Sequence, residues 1–179
     1  MMPPPDSSAP RVAVHATSVV LGAASAPFGG PVDGAVLLLG EAGAGKSDVA
    51  LRLIGMGARL LSDDQTLLFA EGDRLFAEGV PSLHGRMEIR GVGIVALKAA
   101  GPAPVILAVM LNAHAEIPRL PESLRYALSG PLKALKGPPL LHLSAFEAAT
   151  PAKIAAAAAA LSRGAFVAGL VSPPSGPFF

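Results

Sequence analysis

A chain of 179 residues, 51% hydrophobic and with a net charge of +1, suits one domain with a single substantial core and lacks the basic surplus of a nucleic-acid binder. The absence of cysteine excludes disulfides, zinc thiolates and a thiol nucleophile, and fits a cytoplasmic protein. The longest strongly apolar run, Val105 to Leu111, is too short to cross a bilayer, and the proline-rich start lacks the apolar stretch of a signal peptide, so no membrane partner is expected.

Residues 1–10 read as a disordered leader, because consecutive prolines and small polar residues cannot build a core. Arg11 to Leu21 is valine-rich and predicts a strand. Gly22 to Gly34 supplies turn chemistry, and Ala35 to Leu39 predicts the second strand of a hairpin. Next comes Gly40-Glu41-Ala42-Gly43-Ala44-Gly45-Lys46-Ser47, a complete G-x-x-x-x-G-K-[ST] loop between a strand and a helical pattern. Small residues let backbone N–H groups curl around phosphate oxygens, and the following helix N-terminus adds a favourable dipole. In such a loop Lys46 reaches the β/γ-phosphates and Ser47 ligates Mg²⁺, so a nucleoside triphosphate or related polyphosphate is the expected ligand.

The helix is predicted from Lys46 to Met56, since Val49, Ala50, Leu53 and Ile54 repeat at helical spacing. Ala58 to Leu61 predicts a strand ending in Asp63-Asp64. Thr66 to Ala70 and Arg74 to Ala77 flank the hairpin signature Glu71-Gly72-Asp73, and Arg86 to Leu97 and Val105 to Leu111 predict further strands. Pro121 to Leu128 reads as a helix, Pro139 to Leu143 as a last strand, and Pro151 to Leu161 as an alanine-rich helix with Thr150 as its N-cap. Ser172 to Phe179 reads as a flexible tail. The order of elements predicts an α/β domain: a mixed sheet carrying a phosphate loop, with flanking helices.

Asp63 and Asp64 end a strand at the edge where α/β sheets place ligands. One carboxylate could orient Mg²⁺ and the other accept a proton from an attacking hydroxyl; a solvated acidic turn is the alternative. On extended backbone the two point in opposite directions and would not share one role. Glu88 and Arg90 fall on one strand face, which also suits a plain ion pair. His15, alone among valines, reads as structural or as an active-site group. His84, His114 and His142 show no metal-ligand spacing. Arg119 could neutralise transition-state charge or simply be exposed.

Taken together, the histidine-bearing strand, the loop, the aspartate pair beyond it and Met87-Glu88-Ile89-Arg90-Gly91-Val92-Gly93-Ile94 resemble the catalytic domain of HPr kinase/phosphorylase. The family signature is close to L-E-I-R-G-[LV]-G-I, matched here in all but its first residue. The resemblance covers roughly residues 12–120, implies a fold related to phosphoenolpyruvate carboxykinase, and suggests a short form with one catalytic domain at 11–171 and no N-terminal domain.

What the resemblance implies is an ATP- and Mg²⁺-dependent protein-serine kinase acting on the phosphocarrier HPr, with pyrophosphate as an alternative donor and a hexameric assembly. Residues 40–47 would hold the phosphates, Ser47 and Glu88 the Mg²⁺. Asp64 would accept the serine proton with Asp63 assisting, and Lys46, His15 and Arg119 would complete the catalytic set. Alternatives are a small-molecule kinase on the same core and a nucleotide-sensing module without transfer. The chain departs from the family in having Ala16 after the histidine, an insertion in Ala23 to Val32, Ala42 for a common serine, and no C-terminal P-G-R-N segment. That last absence favours the kinase direction over dephosphorylation.

Overall fold

The structure, a computed structural model, describes residues 8–113, 116–166 and 168–170. Most of the expected leader, the whole expected tail at 172–179, and His114 lie outside these residues. The described chain runs β1 (Val12–Val14), β2 (Thr17–Gly22), β3 (Val32–Leu39), α1 (Lys46–Gly55), β4 (Arg59–Ser62), β5 (Thr66–Glu71) and β6 (Arg74–Gly79). It continues as β7 (Arg86–Ile89), β8 (Gly93–Ala96), β9 (Ala103–Leu111), β10 (Leu124–Arg125), β11 (Pro139–Leu143) and α2 (Thr150–Arg163). Among the described residues no helix is long and apolar enough to cross a membrane.

Nine strands form one mixed sheet in the order β1-β5-β6-β9-β3-β2-β4, with β11 also pairing β9 and β10 pairing β11. At its centre β3, β9 and β11 are parallel neighbours, whereas β2 joins β3 antiparallel as the expected hairpin. Central strands covered on both faces read as near-continuous apolar runs, as β3 does. Alternation then sorts its side chains. Val36 and Leu38 pack with Val49, Leu53, Ile154 and Ala158 beneath the two helices. Ala35, Leu37 and Leu39 pack with Leu61, Leu68, Leu75 and Leu132 on the other face. The α/β prediction with flanking helices matches this architecture.

Several predicted elements change where tertiary partners outweigh local pattern. The strand expected over Arg11–Leu21 breaks after Val14, because β1 pairs with β5 while β2 pairs with β3 and β4. At the switch the Thr66 hydroxyl donates to Ala16 O at 2.9 Å. The insertion folds as a 3-10 turn at Ala23–Phe28 docked on α2, where Arg163 donates to Phe28 O at 3.0 Å. The single strand expected over Arg86–Leu97 is instead the hairpin β7–β8. Its turn needs Gly91 at φ 83°, a conformation that L side chains rarely adopt.

The helix expected at Pro121–Leu128 is absent; this stretch supplies β10, whose Leu124 pairs with Leu140, and Tyr126 N donates to Pro138 O at 2.9 Å. Thr150 does not cap α2: it is the first helical residue, and its hydroxyl donates back to Ser144 O. Tyr126 is the only tyrosine of the chain and packs half-buried beside the second core cluster. Burial raises its phenol pKa above the ordinary value near 10. An ultraviolet titration of the native protein is expected to show phenolate appearing only above that value, and returning to about 10 in urea.

Candidate active site

The phosphate loop hangs from the end of β3 and turns into α1. Gly40 and Gly45 have φ of 142° and 90°. A Cβ on Gly40 would lie 2.8 Å from Leu111 O, and one on Gly45 would lie 2.6 Å from the Ala145 methyl. Both positions therefore need glycine for conformation and for space. The Lys46 ammonium is buried and donates to Gly40 O at 2.8 Å and to Glu41 O at 2.9 Å. An ammonium has three donors, so one is left for an anion. Asp48 in the first turn of α1 complements the helix dipole and pairs with Arg52 at 2.9 Å.

Asp63 is the hub beside the loop. Its Oδ1 accepts from the Ser47 hydroxyl at 2.8 Å, the Thr17 hydroxyl at 3.0 Å and Asp64 N at 3.1 Å. Its Oδ2 accepts from Glu88 N at 3.2 Å. One buried carboxylate thus ties α1, β2, the end of β4 and β7 together. Asp64 is different: it is exposed and is the one described non-glycine residue with positive φ, at 61°. The expected divergence of the pair is present, but its cause is a left-handed turn after β4 rather than extended alternation. A strained backbone held by a hydrogen-bonded neighbour is common where a side chain must be aimed.

A cavity of about 560 Å³ opens over the loop and is lined by Gly43, Gly45, Lys46, Ser47, Asp63 and Asp64, together with His15, Glu88, Arg90 and Phe146. His15, exposed in the link between β1 and β2, therefore reaches the cleft. Arg119 does not. It lines a larger, mostly apolar cavity of about 680 Å³ between α2 and β11, because the chain beyond β9 turns toward β11, where Asn112 N donates to Leu143 O at 3.0 Å. The smaller cavity is the one that brings the loop lysine together with Asp63, Asp64 and Glu88. Arg90 lies in it, and the plain ion pair between Glu88 and Arg90, the alternative to a functional role, is not among those of the described residues.

Reasoning from sequence missed Thr17 and Phe146; neither carries a motif, since only folding brings β2 and the turn after β11 to the loop. Among the described residues no group of three or more histidine or acidic side chains could hold a metal unaided. The donor set of one hydroxyl and nearby carboxylates nevertheless suits Mg²⁺, which takes one or two protein oxygens and fills its octahedron with water and substrate phosphate.

Residues 32–104, from β3 to the start of β9, match the family model described as HPr Serine kinase C-terminal domain. Over that segment the chain resembles the HPr serine kinase family. The HPr kinase/phosphorylase of Chlorobium phaeobacteroides (strain BS1) is 46% identical over 66 residues, which is 36% of this chain and 20% of that protein. The HPr kinase/phosphorylase of Peptoclostridium acidaminophilum is 47% identical over 64 residues, 35% of this chain and 21% of that protein. The match thus spans about a fifth of the length of these curated relatives. The solved structure of the Hpr(Ser) kinase/phosphatase from Coxiella burnetii shares the fold, with a TM-score of 0.64 at 22% identity over 85% of this chain and 94% of that one. The phosphate loop, the Asp63–Asp64 turn and the β7–β8 hairpin all fall inside the segment matched to the HPr serine kinase family.

Proposed function

We propose that this chain is an ATP- and Mg²⁺-dependent kinase that phosphorylates a serine of the phosphocarrier HPr. The observation that carries the reading is the convergence on one cleft of the phosphate loop, the free carboxylate of Asp64 and the Glu88-bearing hairpin. Loop amides and Lys46 bind the triphosphate. Ser47 and Glu88 would hold Mg²⁺, which when bound neutralises charge on the β- and γ-phosphate oxygens. Asp64 accepts the serine proton as the serine oxygen attacks the γ-phosphorus and ADP departs. Arg90, rather than Arg119, is the guanidinium on hand to stabilise charge in the transition state, and His15 lines the same cleft.

With phosphate as nucleophile on phosphoserine, the products are pyrophosphate and serine, and Asp64 would return the proton. The turn Ser144–Ala149 carries no arginine in place of the family's P-G-R-N segment, so this reverse reaction is expected to be the slower one. A hexamer acting in the cytoplasm is part of the same proposal.

Incubation with ATP, Mg²⁺ and HPr from the same organism tests it, with mass spectrometry for one added phosphate on serine. Transfer to HPr is expected, in excess of pyrophosphate release from phospho-HPr. Tight ATP binding with no transfer to HPr would instead support a nucleotide sensor, and transfer only to small hydroxyl compounds would support a small-molecule kinase.

A further inference from the structure

We propose that the turn between β11 and α2 is the subsite for the base of the bound nucleotide, with the ring of Phe146 as its stacking face. The inference rests on the reading of residues 40–47 as a nucleotide phosphate loop and adds where the nucleoside lies. Strands β3, β9 and β11 are parallel, so their C-terminal ends share one edge, where open α/β sheets bind ligands. At that edge β3 leads into the phosphate loop and β11 into Ser144–Ala149.

Sheet order separates the two ends of a nucleotide. The groups suited to phosphoryl transfer come from one flank of β3: Thr17 lies on β2, and Asp63 and Asp64 follow β4. Phe146 comes from the other flank, beyond β9. A triphosphate seated at the end of β3, with its terminal phosphate toward Asp64, directs its nucleoside toward Phe146.

The turn is built and not loose. Thr150 donates to Ser144 O, and Arg52 from α1 donates to Ala145 O and, at 3.0 Å, to Glu147 O. Lys153 pairs with Glu147. Ala145 is fully buried against Gly45. The next residue, Phe146, is turned outward and 65% exposed, with ring atoms 3.8 and 3.9 Å from where a Gly45 Cβ would stand. Among the described residues it is the one phenylalanine or tyrosine lining the cleft, whose apolar lining also includes Leu51 and Ile89. An aromatic side chain, with two rotatable bonds and carried on a hydrogen-bonded turn beside a phosphate loop, loses little conformational entropy when a base stacks on it.

Stacking tolerates any base but requires one, so the test compares ATP with inorganic tripolyphosphate, which has none. Calorimetry on the full chain with Mg²⁺ is expected to show Phe146→Ala weakening ATP roughly five- to hundredfold. Tripolyphosphate affinity stays within about twofold, and Phe146→Trp retains ATP binding, since either ring offers a π-face. Phe146→Leu, which keeps apolar bulk without a π-face, should resemble the alanine variant for ATP and the parent for tripolyphosphate. Equal weakening of both ligands in Phe146→Ala and Phe146→Leu would overturn the subsite in favour of a role in holding the loop. Unchanged ATP affinity alongside a changed oligomeric mass would assign the ring to a contact between copies and overturn it too. If the parent protein binds neither ligand, the phosphate-loop reading itself fails, a result distinct from either of those.

Discussion

Asp64→Asn is expected to lower the rate of phosphoryl transfer by about 10²- to 10⁴-fold, the range of a positioned general base, with ATP affinity kept within about twofold. The substitution isolates the chemistry for three reasons. Asp64 gives its carboxylate to no hydrogen bond of the hub; only its backbone N–H takes part. Its side chain is exposed in the cleft, so an amide adds no packing conflict. Its φ of 61° lies in the left-handed region, which asparagine enters as readily as aspartate. The loss should fall on kcat and leave KM for ATP in place, the pattern of an interaction made only in the transition state. Single-turnover transfer from ATP to HPr measures it. A variant that transfers phosphate at the parent rate removes Asp64 as the proton acceptor.

The neighbouring carboxylate should respond in the opposite way, through stability. Asp63→Ala is expected to cost about 3–5 kcal/mol, since hydrogen bonds to a charged group contribute about 1.5–3 kcal/mol each and are not additive. Four donors lose their acceptor at once, from Thr17, Ser47, Asp64 and Glu88. The Thr17 residue is fully buried, out of reach of bulk solvent in the parent structure. At about 2–4 °C per kcal/mol for a domain of this size, the melting temperature should fall by at least about 6 °C. Asp63→Asn keeps the shape and Oδ1, but its NH₂ then meets the Glu88 N–H, donor against donor, so an intermediate loss is expected. Thermal unfolding followed by circular dichroism decides the matter. A melting temperature within about 2 °C of the parent in Asp63→Ala would show that the hub is not holding these elements together.

The contrast between the two aspartates shows what was legible from sequence. The phosphate loop, α1 and the β5–β6 hairpin are local: glycine spacing, helical periodicity and a turn signature each fall within a few residues, and the structure reproduces all three. The Asp63–Asp64 pair was singled out by its distance from the loop and Glu88 by the Met87–Ile94 signature, and all three line the cleft. That the two carboxylates would point apart was anticipated, though not the left-handed turn that produces it. What escaped notice depends on sequence-distant partners. Thr66, reached only after β4, breaks the first strand by taking Ala16 O. Arg119 follows the chain toward β11 and away from the cleft. Phe146 matters because β11 lies alongside β9, a neighbour relation that no short window contains.

Strand β9 also ties function to the order in which the molecule assembles. It pairs with β3 along one side, and on the other with β6 near its start and β11 near its end. The β3–β9 pairing closes a loop that contains α1 and all of β4 to β8, so it carries a high entropic cost and belongs late in folding. The N-terminal β2–β3 hairpin and the β5–β6 hairpin can form earlier, from nearby residues alone. Yet Gly40, where the phosphate loop begins, closes against Leu111 O at the far end of β9. The loop therefore takes its shape only once the last long-range strand is seated. On the proposed reading, a partly folded chain carries the whole motif in its sequence yet lacks the shape to grip a nucleotide, so ligand affinity would report completion of the sheet.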